Sequence, residues 1–90
     1  MDRKSDAQLL LEYAQTGGES PFHEIVVRHA DLVYSAALRQ IESPDFARDI
    51  TQNVFADLAR KAAPLSKTLT PESSLVGWLY RATTFESQQA

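Results

Sequence analysis

Two histidines, two aspartates one helical turn apart and a run of hydroxyls are the side chains here whose types could do catalytic or metal chemistry. His23 and His29 are six apart, the wrong spacing for one helical face, where partners recur at three or four. His29 falls on the apolar side of its segment, as a hydrogen-bonded core histidine does. Asp45 and Asp49 are spaced i, i+4, but no His or Cys stands near to complete a ligand set. They read as a charge near a helix start and a surface group. Seven serines and threonines lie between Ser66 and Thr84. None sits in a Gly-x-Ser-x-Gly turn, and no His follows His29 to serve a triad. Gly17-Gly18 is not followed by the glycine-lysine pattern of a phosphate loop. The expectation is therefore a protein that is not an enzyme, with no metal site and no cofactor.

What remains is the chemistry of recognition, in two places. Arg60, Lys61, Lys67 and Arg81 surround the end of one helical stretch, a polar loop and a last helix, where Trp78, Tyr80 and Phe85 add aromatic surface. Cations track phosphates, and aromatic rings stack on unpaired bases at about 1–3 kcal/mol per base. The loop between them offers Ser66, Thr68, Thr70, Ser73 and Ser74 to base edges or phosphates. The second place is the outer side of 45–61. At about 100° per residue, Ala47, Ile50, Val54, Phe55, Leu58 and Ala62 gather on one side as core, with Phe46 at the edge. Opposite lie Arg48, Asp49, Gln52, Asn53, Ala56, Ala59 and Arg60. A solvated face is usually rich in bulky Lys and Glu. This one is short and polar around two alanines, so another helix could approach it closely.

Four helices must position these groups. The first starts at Ser5, whose spacing to Gln8 is that of a capping box. Leu9, Leu10, Tyr13 and Ala14 form its inner stripe, and Gly17-Gly18 stops it. The second opens at Ser20-Pro21, a capping serine followed by proline at the first helical position, and runs to about Ile41. Its polar arc is narrow (Glu24, Arg28, Asp31, Ser35, Arg39, Glu42) and the rest is largely apolar, so it must be covered on several sides. Ser43-Pro44 repeats the start signal for the third helix, which ends before Pro64. Residues 63–74 read as a loop. The last helix begins near Thr70-Pro71 or Ser73-Ser74, with Leu75, Leu79 and Ala82 as its core stripe and Trp78 and Phe85 at the edge. The expected boundaries are 6–16, 21–41, 44–62 and 72–87. No period-two run or hairpin turn signals a strand. The expected fold is an all-α compact bundle of about four helices.

Composition bounds the rest. Ninety residues make one domain. There is no Cys, hence no disulfide framework and no thiolate site, which fits a reducing cytoplasm. Leu9–Leu11 is too short for a signal core, and no run approaches the ~20 residues of a membrane span. The expected location is cytoplasmic, with no membrane partner. The net charge is −3, which argues against simple duplex affinity. That charge lies wholly in residues 1–42; residues 43–90 are balanced. An anion-facing surface belongs in the second half.

The segments DAQLLLEYAQTGGESPFHEIVVRHADLVYSAALR, DITQNVFADLARKA, a polar loop and GWLYRATT follow one another in an order that resembles region 2 of an extracytoplasmic-function (ECF) sigma factor of the sigma-70 family. This is the domain that binds core polymerase and recognises the −10 element. The resemblance covers about residues 6–85. It implies that the third helix docks on the β′ clamp helices of RNA polymerase through Asp49, Gln52, Asn53 and Ala56. It implies that the 63–74 loop, with Lys67 and Ser73, captures a base flipped from the non-template single strand of −10 promoter DNA. Trp78, Tyr80 and Arg81 then belong to the −10-reading and melting helix, with Arg60 and Lys61 on phosphates. An anti-sigma factor is a further expected partner.

Three departures modify this expectation. Asn53 stands where the family commonly has Glu, removing one charge from the polymerase contact. FESQQA follows GWLYRATT where members usually continue with Asn and several basic residues. No helix-turn-helix for the −35 element lies within the ninety residues, so promoter binding by this segment alone should be weak and strongly salt-dependent. The competing expectation is a sigma-like helical interaction module that binds polymerase or an anti-sigma factor and has no DNA function.

Overall fold

Helix starts and stops are set by where orphan backbone groups find partners, and here they can be followed one by one. The computed structural model describes residues 3–70 and 72–89; Pro71, one of the expected helix starts, lies outside them. The fold is all-α, with four helices: α1 (Asp6–Thr16), α2 (Glu19–Ile41), α3 (Pro44–Ser66) and α4 (Val76–Gln89). There is no strand among the described residues.

The start of α1 is the expected capping box. Gln8 N–H donates to Ser5 Oγ at 3.1 Å and Ser5 N–H to Gln8 Oε1 at 2.8 Å. Gly17, at φ 68°, ends α1 by donating to the Tyr13 carbonyl. Helix α2 begins two residues before the expected Pro21. Its cap is Gly18, which makes no side-chain cap bond, and Ser20 lies inside the first turn. Proline is tolerated there because the first amides of a helix have no partner to lose. Glu42 closes α2 in the left-handed region at φ 59°, a conformation that costs a non-glycine residue about 1–2 kcal/mol. Ser43 is extended, the conformation favoured before proline. It caps α3 through Phe46 N–H at 3.4 Å, with Pro44 in the first turn.

Helix α3 does not stop at Pro64. It continues to Ser66, so 63–66 are helical and the described loop shrinks to 67–70 and 72–75. Two effects carry the chain past the proline. Leu65 and, beyond the helix, Leu69 pack against the core. The end tightens into i→i+3 bonds, from Lys67 N–H to Pro64 and from Thr68 N–H to Leu65. Helix α4 in turn starts at Val76, four residues later than the expected 72, and extends to Gln89.

The expected core faces hold. Ala47, Ile50, Val54, Phe55, Leu58 and Ala62 are all buried on α3. They meet Leu9 and Leu10 of α1, Ile25, Val33 and Ala37 of α2, and Leu75 and Leu79 around α4. Helix α2 packs against each of the other three, as its broad apolar surface requires, whereas α1 and α4 do not pack on each other. Within the stripe of α4, Ala82 is only partly buried and Thr83 is fully buried, its hydroxyl donating to the Leu79 carbonyl at 2.7 Å. Among the described residues, no helix is long and apolar enough to cross a membrane.

Leu58 is fully buried at the centre of this cluster. Leu58→Ala should destabilise the domain by about 2–5 kcal/mol, read as a fall in the urea midpoint at unchanged slope.

Candidate functional site

The polar strip of α3 points away from the bundle. Asp49, Gln52, Asn53 and Ala56 are all exposed. The ion pairs of this helix lie before and after this stretch, Arg48 with Asp45 and Arg60 with Asp57. Between them, among the described residues, the side chains of Asp49, Gln52 and Asn53 are bonded to nothing in the domain. The result is a shallow, small-residue helix face with free donors and acceptors, bounded by charge. Phe46, which the helical plot puts at the edge of the core, is instead 58% exposed beside it.

A second surface lies about a quarter-turn around the same helix. Asp57 and Lys61 of α3 line a cleft with Trp78, Arg81, Ala82 and Phe85 of α4. Trp78 is half-buried, partly packed on the core and partly forming the cleft wall. Tyr80 lies on the adjoining outer strip of α4 with Arg81, Thr84 and Phe85, and is 42% exposed. The Arg81 guanidinium lies back along the helix over exposed Gly77, at ordinary contact distance from where a Cβ would stand. Gln40 of α2 ties this end of α4 down through Thr84, at 3.3 Å.

Of the residues expected to meet nucleic acid, the structure thus brings together Lys61, Trp78 and Arg81, with Tyr80 alongside. Phe85 joins them. Arg60 is exposed, but its guanidinium is held by Asp57. Lys67 is exposed at the end of α3 and does not line the cleft. Ser73 is half-buried. Its Oγ accepts from Thr70 N–H at 3.0 Å and lies 3.0 Å from the Thr70 hydroxyl, so it closes a turn within the loop. The cleft also contains an acid that the sequence reading did not place there, Asp57, which offsets part of its positive charge.

The largest omission of sequence reasoning is Asp6. Its carboxylate is buried where α1, α2 and the start of α4 converge. Oδ1 accepts from Arg28 at 3.2 Å. Oδ2 accepts from His29 Nε2 at 2.9 Å, from Leu75 N–H at 2.9 Å and from the Ser74 hydroxyl at 3.4 Å. Against an ionised carboxylate, Nε2 must carry the proton. Arg28, expected on the solvated arc of α2, is instead mostly buried, and its other amino group donates to Glu24 at 2.6 Å. His29 is the hydrogen-bonded core histidine its position implied. Burial, the largest single influence, pushes the Asp6 carboxyl up. The Leu75 amide, then His29 and Arg28, together outweigh it and hold the group below its ordinary value. No local pattern marks this residue, because its partners lie 22 to 69 positions away.

No protein-family model, curated protein or solved structure matches this chain.

Because the folded pKa of Asp6 is lower than its unfolded one, its contribution to stability is complete above the ordinary carboxylate range. It is lost as the pH falls from there through the folded value. Urea midpoints of the wild-type chain and Asp6→Asn should therefore converge as the pH is lowered through that window. Parallel midpoint curves would show that Asp6 carries no such linkage.

Proposed function

We propose that this domain acts in transcription initiation as a region 2 of ECF sigma type, docking on the β′ clamp helices of RNA polymerase and reading and melting the −10 promoter element in the cytoplasm. The observation that carries this reading is the free face of α3. Asp49, Gln52, Asn53 and Ala56 are exposed, and their side chains are unbonded among the described residues, on a helix whose opposite side is core. Helices pack at about 8–10 Å between axes, and alanine with short polar groups permits the close end of that range. The order of motifs that resembles the sigma family assigns the same four residues to the polymerase contact.

The cleft between α3 and α4 supports the DNA half. Unstacking a base step costs a few kcal/mol, and capture of the freed base offsets it. Trp78 and Tyr80 supply stacking surface, while Lys61 and Arg81 supply phosphate contacts. With Arg60 held by Asp57 and the chain acidic overall, the site suits a single strand better than a duplex. Asp57 in the cleft and the internal engagement of Ser73 favour the second reading, a sigma-like module that binds polymerase or an anti-sigma factor without DNA.

Two measurements test the docking and the DNA halves in turn. Asp49→Ala combined with Gln52→Ala should weaken binding to the β′ clamp helices with the helical circular dichroism unchanged; full retention in a pull-down would remove the docking assignment. Single-stranded −10 oligonucleotides should bind better than duplex. Two cations on phosphates imply a slope of about −1.4 in log affinity against log salt, and Arg81→Ala should reduce it by about 0.7. Equal binding of both forms at low salt would favour the interaction module.

A further inference from the structure

A cleft formed by two helices is only as well defined as the placement of the helix that closes it. Helix α4 is packed on α2 and α3 and has no packed contact with α1. Yet the peptide group that leads into α4, Leu75, is held by a side chain of α1. Its N–H, which precedes the helix's own bonding, donates to Asp6 at 2.9 Å, while its carbonyl accepts the first helical bond from Leu79 N–H at 2.9 Å. The Ser74 hydroxyl donates to the same carboxylate and accepts from Val76 N–H at 3.1 Å. Asp6 thus closes the start of α4 from a distance, as a capping side chain would from within. Arg28 and His29 of α2 hold the carboxylate in turn, and Glu24 holds Arg28. Arg3 of the N-terminal segment lines the same recess.

We propose that Asp6 is the positioning residue of the α3–α4 cleft: by fixing Leu75 and Ser74 it sets where α4 begins, and so where Trp78 and Arg81 stand against Lys61. Trp78 is one turn beyond Leu75, and Arg81 lies on the next turn. Loss of the carboxylate frees the entry to α4 while leaving the apolar side chain of Leu75 in the core. That the cleft takes a base rests on the function proposed above. The coupling is read without nucleic acid, so the two fail separately.

The chain has one tryptophan, Trp78, and its emission is the natural probe. In Asp6→Ala, acrylamide quenching of Trp78 should rise about twofold as the entry to α4 opens locally, with far-UV circular dichroism retained. Asp6→Asn, which keeps an oxygen for the Leu75 amide, should recover a substantial part of the change. Quenching equal to wild type in a folded Asp6→Ala chain would overturn the proposal. Should Asp6→Ala fail to fold, the wild-type chain decides: by NMR the Leu75 amide proton should move with the titration of the Asp6 carboxyl. A Leu75 resonance indifferent to that titration would overturn the proposal equally.

Discussion

A single buried carboxylate ties together three parts of the chain that are remote in sequence. Asp6 sits in the first turn of α1, receives Arg28 and His29 from α2, and accepts the amide that opens α4. A carboxylate offers about four lone-pair sites, and here four donors converge on it. Those from Arg28, His29 and Leu75 would be costly to leave unmet: a buried donor without a partner loses about 1–3 kcal/mol, and a buried charge without a counterion considerably more. The network therefore does more than add stability. Apolar packing of α4 on α2 and α3 would tolerate small rotations and slides, whereas an N–H held at 2.9 Å by a fixed oxygen does not.

The same economy of parts recurs on α3. One side is core, one exposed face is free of internal bonds, and a third, at the helix's far end, forms a cleft with α4. A helix with 23 residues is long enough to separate these duties along its axis as well as around it. The free face lies in its middle turns and the cleft toward its C-terminal end. In the proposed reading, polymerase docking and strand capture are borne by one rigid element, so the geometry between them is set by the helix rather than by a loop. The ion pairs at either end of the free face, Arg48 with Asp45 and Arg60 with Asp57, leave Asp49 as the unpaired charge on it among the described residues. They also leave Lys61 and Arg81 as the cations of the cleft. In the proposed reading, this restrained charge leaves strand selection to stacking more than to long-range attraction.

How far the sequence reveals this depends on the range of the interactions. Local rules worked where the determinant was local. The Ser5–Gln8 box, the left-handed Gly17, the Ser43-Pro44 start and the buried stripe of α3 follow from spacing over one or two turns. Pro64 misled because proline reads as a terminator, while Leu65 and Leu69, packing on the core, carry α3 one turn further. Ser20-Pro21 misled for the converse reason: Gly18 supplies a sufficient start without a side-chain bond. The entry to α4 was placed too early because hydroxyls at Thr70 and Ser73, which resemble caps, instead close a turn on each other. Asp6 could not be found at all, since an aspartate in a first turn is what the helix dipole alone would favour, and its distant partners leave no periodic trace. The candidate residues Lys61, Trp78 and Arg81 converge because α3 and α4 pack, which is a tertiary fact. The exposed face of α3 was readable because it is the complement of a clear core stripe.

The central claim is that the bare face of α3 is a docking surface for the helical clamp of RNA polymerase, and amide shift mapping tests it most directly. Titrating the isotope-labelled chain with the β′ clamp-helix hairpin should produce its largest perturbations at Asp49, Gln52, Asn53 and Ala56, with the amides of α1 little changed. No perturbation at excess hairpin would contradict the claim. So would shifts centred on the α1–α2 face around Tyr13 and Phe22.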